Sequence, residues 1–516
     1  MKKVLLSCML LLSSLGAAAQ YSHTIQAEKL DRGVVAVKTD GGVFVSWRSL
    51  VSDDKDLSFD VYRDGVKINE SPIKSKTNIT DAQGTVSSKY VVKAVGTGEE
   101  SKETSVWATP YMKVHLDRPA GGTSPAGGRV EQREYTYTPD DVSVGDVDGD
   151  GEWELIVKWF PTNQADNGDQ YRYTGNTILD CYKLDGTKLW RIDLGRNIRS
   201  GNHYTQFMVY DFNGDGKAEL ICKTAPGTID GQGKAVLLGS DKVDADYRTS
   251  SGTLAGIVVD GPEYLTVFNG ETGAEINTIY YNPPRTIRTS SQWGDKNGNR
   301  CERYLAGVAY LDGVGKNPSA IFCRGYYTAA YVWAVDFDGS KLTEKWLHKS
   351  ETSGKGLYGE GAHSLTIGDV DADGCDEIIF GAATLDNDGK TTWRTGAGHG
   401  DALHLGDFDP DREGLEAFMV HEEKGSPYKF DAVLRDPATG EILFGDPQSG
   451  HDIGRGVAAN LSSKYRGYEL FYKSYKENSA GANTTRDIKG NVVGSGAPTM
   501  NFRIYWDGDL LDEIFD

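Results

Sequence analysis

The sequence predicts an all-β protein in two unequal parts: a small N-terminal sandwich and a much larger array of short sheets. Three observations carry this. Short runs of β-branched and aromatic residues alternate with Gly-, Asn- and Asp-bearing turns along most of the chain. No amphipathic helical pattern of 11 or more residues interrupts them. An acidic loop motif recurs between β-like runs. The chain has 516 residues, 63 of them Gly and 27 Tyr, which suits a turn-rich β fold able to bury a sizeable core.

Taken in order, Lys2 and Lys3 precede an apolar run from Val4 to Leu12, followed by Ala17, Ala18 and Ala19. This reads as a signal peptide over 1–19 and implies export to the periplasm, cell surface or exterior. No other stretch approaches the length of a membrane span. Residues 22–112 form one module. Val43 to Trp47 alternates as a strand, Phe59 to Ile68 is a hairpin on Asp64-Gly65, and Tyr90 to Val95 is a later strand. An early Trp among short strands fits an immunoglobulin- or fibronectin-like sandwich. The Gly/Pro-rich stretch 119–128 reads as a linker or surface loop. Beyond it, within 113–516, strand–turn–strand units recur at 182–190, 267–276, 334–342 and 433–444. Many short antiparallel units with loops of unequal length suggest a β-propeller.

The recurring loop is clearest at Asp146, Asp148, Asp150 and Glu154, in DVDGDGEWE. Acids at alternate positions can converge on one hard cation, and the flanks are strands where an EF-hand would have helices. Calcium takes six to eight oxygens at roughly 2.3–2.6 Å, so it suits this loop better than Mg²⁺ or Zn²⁺. Asp211, Asn213, Asp215 and Glu219 repeat it, as do Asp369, Asp371, Asp373 and Glu377. Asp407, Asp409, Asp411 and Glu416 give a variant, and Asp295, Asn297 and Asn299 a weaker cousin. The expected role is to staple turns of a repeating β fold.

Five Cys remain after the leader, with no C-x-x-C spacing, which argues against a disulfide framework or a zinc site. The formal charge of −20 argues against a nucleic-acid partner. Away from the loops, His363, His399, Asp401 and Glu422 lie at loop–strand borders in three segments, and imidazole beside carboxylate is a common divalent-metal combination. Arg455 sits between glycines, where its guanidinium could meet a carboxylate. An exported, acidic, calcium-bearing, aromatic-rich chain suits a carbohydrate. A uronate would need a cation or Arg to invert the local field, and that same charge would favour β-elimination.

SVGDVDGDG, LGRNIRSGNHYTQFMVYDFNGDGKAEL, GPEYLTVFNGETG, GHGDALHLGDFDP, VHEE, DIGRG and WDGDLL together resemble the secreted bacterial β-propeller rhamnogalacturonan lyases, over nearly the whole mature chain. The resemblance implies an eight-bladed calcium-bearing propeller, incomplete here. It also implies cleavage of the rhamnose–galacturonate bond of pectic rhamnogalacturonan I by elimination. It places calcium on His363, His399, Asp401 and Glu422 and sugar on Arg455. Family members carry Asn where this chain has Asp140 and Asp where it has Phe160, both at sugar-contacting positions. Phe160 would offer a stacking face. They also continue past WDGDLL into a segment whose lysine is a natural proton acceptor, so the base is unassigned within 1–516. A monomeric endolyase is the first reading. A non-catalytic, calcium-dependent pectin-binding propeller is the second, and a hydrolase on the same scaffold the third.

Overall fold

A computed structural model describes residues 27–167, 172–285, 293–295, 297–473, 483–496, 501–506 and 511–515. The expected signal peptide lies outside the described residues.

In the N-terminal part, Val35–Thr39, Gly42–Ser46 and Asn78–Asp81 form one sheet. Phe59–Arg63 centres a second, four-stranded one. Both bury alternate residues in one core around Trp47, whose ring meets Phe59 edge-on at 5.4 Å. The Asp64-Gly65 hairpin forms as expected, with Tyr62 opposite Lys67 and positive φ at both turn residues.

Six four-stranded antiparallel sheets follow, each a meander whose strands pair in chain order. Their first strands are Tyr137–Gly145, Phe207–Tyr210, Tyr304–Ala309, Gly361–Gly368, Leu403–Gly406 and Arg455–Ala459. Each first strand packs beside the next sheet's first strand. The second strands Glu219–Thr224, Ser319–Arg324, Glu377–Gly381 and Glu416–Val420 are buried at every residue. Such strands face protein on both sides, which is why their sequences read as near-continuous apolar runs without alternation. The cores therefore lie between neighbouring sheets. Ile156 and Leu179 share one with Leu220 and Phe268, Met208 and Leu265 share another with Phe322 and Trp333, and Phe418 shares a third with Leu470.

The strand–turn–strand units read from the sequence are the outer hairpins of four of these sheets. Turn glycines in two of these hairpins, and in the Ala383–Arg394 hairpin, have a tertiary reason. Gly273, Gly389 and Gly440 have positive φ, and a Cβ on each would come within 2.7 Å of Trp190, Trp346 and Trp393 respectively. Each indole belongs to the preceding sheet and donates its Nε1–H to the same hairpin, at 2.7, 2.9 and 2.8 Å. Aromatic lids on glycine turns thus tie the first sheet to the second, the third to the fourth and the fourth to the fifth.

The stretch 119–128 is more than a linker, since Gly122–Ser124 pairs with Arg133–Tyr135. Cys181, Cys222, Cys301 and Cys323 are buried free thiols, and Cys375 is also unbridged. Among the described residues no helix is long and apolar enough to cross a membrane.

Candidate metal and carbohydrate site

The meander topology separates two ends of the sheet array. The acidic loops join first to second strands: Asp146 follows Tyr137–Gly145, and Asp369 follows Gly361–Gly368. His363 begins a first strand, His399 and Asp401 immediately precede one, and Glu422 follows a second strand. A first strand begins where its antiparallel partner ends, so these four residues share the end opposite the loops.

There the backbone knits three segments together. His363 donates its N–H to the Gly400 carbonyl at 3.2 Å, Gly400 to Gly361 at 3.3 Å, and Glu422 to His399 at 3.1 Å. Gly400 is required, since a Cβ would sit 1.8 Å from the Val420 carbonyl oxygen. His363, His399, Asp401 and Glu422 each point one ligand atom into a common volume, all within 4.8 Å of one another.

His399 is 0% exposed. Its Nδ1–H donates to the Gly361 carbonyl at 2.6 Å, leaving Nε2 as the lone-pair nitrogen. That Nε2 is buried, has no hydrogen-bond partner, and lies 3.3 Å from Glu422 Oε2. His363 Nε2 lies 3.6 Å from Asp401 Oδ1 and 2.9 Å from the Tyr327 hydroxyl. The Tyr326 ring stacks on His399 at 5.6 Å and 7°. Tyr327 lies 4.1 Å from His399, and His203, held by Asp166, meets His363 edge-on at 6.1 Å.

Electrostatics marks the group as unfinished. Burial, aided by the charges of His399, Arg303, His203 and Arg455, drives the His363 pKa down to about 2. Burial pushes Asp401 up to about 6, with Glu422 and Asp452 adding to it. The approach of the His399 ring to 3.3 Å holds Glu422 below its ordinary value. A neutral imidazole, an orphaned buried nitrogen and two carboxylates within one coordination radius fit a divalent cation.

The acidic loops differ among themselves. In the first, Asp146 Oδ1 accepts from Gly149 and Asp150 at 2.7 and 3.1 Å, and Oδ2 from Gly151 at 2.9 Å. Lys183 reaches Asp148 and Asp150. The second repeats the pattern on Asp211 through Gly214, Asp215 and Gly216, and Asn213 bonds Glu219. In the third, Asp369 Oδ1 and Glu377 Oε1 are buried without a partner, and these two residues converge with Asp371. Burial raises Glu154 to about 7 and Glu219 and Glu377 to about 8.

The fourth loop departs from expectation. Asp407 is exposed, Arg412 bonds Glu416 at 2.8 Å and also pairs with Asp436, and Lys489 and Arg466 take Asp409 and Asp411 at 2.5 and 2.7 Å. Phe408 N–H still donates to Glu416 Oε2 at 2.8 Å as its counterparts do in the other loops, but here the chain's own cations neutralise the acids.

Arg455 opens a first strand, and its charge reaches both His363 and Asp401. Asp140 and Phe160 lie in the first sheet. Asp140 faces the buried Lys158 ammonium at 3.5 Å, so its charge is offset from within. Phe160 is 5% exposed, and the same ammonium sits 4.7 Å from its ring, so it shows no stacking face to a sugar. Tyr326, Tyr327, His203 and Lys158 did not stand out in the sequence. The Tyr-Tyr pair closing an apolar run was the one visible signal.

Residues 111–516 match the family model "Rhamnogalacturonan lyase family 11, C-terminal domain", and 25–109 match "Rhamnogalacturonan I lyases beta-sheet domain". The chain is 51% identical over 496 residues to the rhamnogalacturonan endolyase YesW of Bacillus subtilis, covering 95% of this chain and 75% of that protein. It is 48% identical over 496 residues to the rhamnogalacturonan exolyase YesX of the same organism, covering 95% and 78%. The YesW crystal structure superposes with a TM-score of 0.85 over 95% of this chain and 80% of that one. A Bacillus licheniformis rhamnogalacturonan lyase, 48% identical, gives 0.85 over 96% and 80%.

Proposed function

The chain belongs to rhamnogalacturonan lyase family 11, and from that premise we propose that it is an exported, calcium-dependent endolyase of rhamnogalacturonan I. It is a polysaccharide lyase. The reaction removes the proton alpha to the galacturonate carboxylate and breaks C4–O4. A C4=C5 double bond forms, and the departing rhamnose oxygen takes a proton. The observation that carries this reading is the orphaned, fully buried Nε2 of His399, aimed into a cluster with His363, Asp401 and Glu422.

These four residues would hold calcium, which would supply the positive charge that a uronate carboxylate needs in a chain of formal charge −20. The chain's own groups do the rest. Arg455 adds a second cation beside the cluster and can take a carboxylate bidentately. Tyr326 and Tyr327 pack against both imidazoles and fix their planes, so the donors are ordered before substrate arrives. The Gly361 carbonyl fixes the His399 tautomer. In the first and third loops the same ion would staple the far ends of the first strands, taking the place of Lys183 in the first and meeting the orphaned Asp369 and Glu377 oxygens in the third. The six sheets, with first strands side by side and cores between neighbours, support a propeller architecture. A single polypeptide carries the whole cluster, which supports a monomer.

Ultraviolet absorbance during incubation with rhamnogalacturonan I tests this. A calcium-dependent rise, abolished by EGTA and preceded by a fall in viscosity, is expected. Binding without a rise would favour a non-catalytic pectin binder, and new reducing ends without a rise would favour a hydrolase.

A further inference from the structure

Charge is unbalanced at one edge of the site. Tyr327, whose ring lies 4.1 Å from His399, carries two guanidinium groups, with Arg300 Cζ at 5.4 Å and Arg303 Cζ at 5.6 Å from its centroid. Arg303 gives its terminal nitrogens to the Tyr326 hydroxyl at 3.4 Å and to Asn299 Oδ1 at 3.2 Å, and its Nε is buried without a partner. Among the described residues no carboxylate lies within ion-pair distance of either arginine. The chain has 75 acidic residues against 55 basic ones, so two neighbouring guanidiniums with no acid in ion-pair contact, Asp166 acting on Arg303 only at longer range, are out of character.

The position of Arg300 is fixed from below. Asp295 Oδ1 accepts from Gly298 at 2.9 Å and Oδ2 from the Arg300 N–H at 2.7 Å, in the same fold as the acidic loops. This is the weak cousin noted in the sequence. Its side-chain oxygens serve the turn, and the turn presents Arg300 half-exposed above Tyr327. A planar guanidinium resting on an aromatic face keeps its edge free for a bidentate anion.

We propose that Arg300, backed by Arg303, binds the carboxylate of a second galacturonate along the backbone, distinct from the one held at the His–Asp–Glu cluster. This rests on the rhamnogalacturonan reading above. A backbone of alternating rhamnose and galacturonate presents a carboxylate at every second sugar, so a cleft spanning more than one repeat must meet a further anion. The unpaired arginines supply a counter-charge that the acidic surface elsewhere denies.

The test uses the full chain and its R300Q and R300K variants. Affinity for rhamnogalacturonan I is measured by calorimetry, beside its carboxyl-reduced form, and KM and kcat are taken from the absorbance assay. R300Q should weaken polymer binding and raise KM by about tenfold, the size of one charged hydrogen-bond pair, with kcat within about twofold. R300K should recover part of the loss, and the variants should bind the carboxyl-reduced polymer alike. Equal polymer affinity in R300Q and the parent would overturn the proposal, as would equal losses on both polymers. If the parent binds but yields no unsaturated product, the lyase reading fails on its own, and the affinity comparison still decides the role of Arg300.

Discussion

The two ends of the sheet array use the same side chains in opposite ways. At the loop end, acidic residues of the first two loops are drawn into the backbone, while the third keeps two orphaned oxygens. Asp146 and Asp211 each accept three N–H groups from their own loop, and Glu154 and Glu219 each accept another. At the other end, His363, His399, Asp401 and Glu422 come from three segments, and His399 Nε2 has no partner at all. A loop that satisfies its own carboxylates folds locally and serves stability. A cluster assembled across segments, with an unsatisfied buried atom, is kept for a ligand.

The largest expected effect lies at the cluster. His399→Gln should lower kcat by about 10²–10³-fold, the several kcal/mol a bound cation supplies, and shift the melting temperature little. A loss below tenfold in the absorbance assay would erase the contrast between the two ends.

The loops should show the reverse. Asp369→Ala should cost about 3 kcal/mol in denaturant unfolding at a hundredfold excess of calcium over its Kd, with specific activity of the folded fraction retained. Asp407→Ala, in the loop already neutralised by Arg412, should change stability by less than about 0.5 kcal/mol. Equal costs at the two positions would mean that Arg412 does not replace the ion.

The smallest effect is a pH dependence in chelator. Glu219 and Glu377 have folded pKa values raised to about 8, and Glu154 to about 7, from an ordinary 4.5. Raised carboxyl pKa values favour the protonated folded state. The metal-free chain should therefore lose stability as pH rises from about 4.5 to about 8, and added calcium should flatten the slope. A melting temperature that climbs over this range in EGTA would contradict the burial of these acids as the cause.

Much of this was legible from local pattern. The Asp64-Gly65 hairpin, the outer hairpins and the acidic loops all depend on residues within about ten positions of each other, so spacing reports them directly. The His–Asp–Glu residues were legible as types at strand borders, while their convergence was implied by the family resemblance and not by spacing. Phe160 shows the limit: an aromatic beside a substrate position suggests a stacking face, yet its neighbours bury it under Lys158. The fourth loop shows another. Spacing within the loop says nothing of the cation that meets its acids, since Arg412 meets Asp436 only through the fold.

The sequence by itself determined the all-β class, the strand–turn periodicity and the cation-ready loops, because these are set by neighbours along the chain. Only the tertiary structure decided that His399 is buried with an idle nitrogen, that Tyr326 and Tyr327 lie against it, and that Arg300 lacks an acidic partner among the described residues. Those facts arise between sheets, where burial removes water as the alternative partner and makes each unmet hydrogen bond or charge costly.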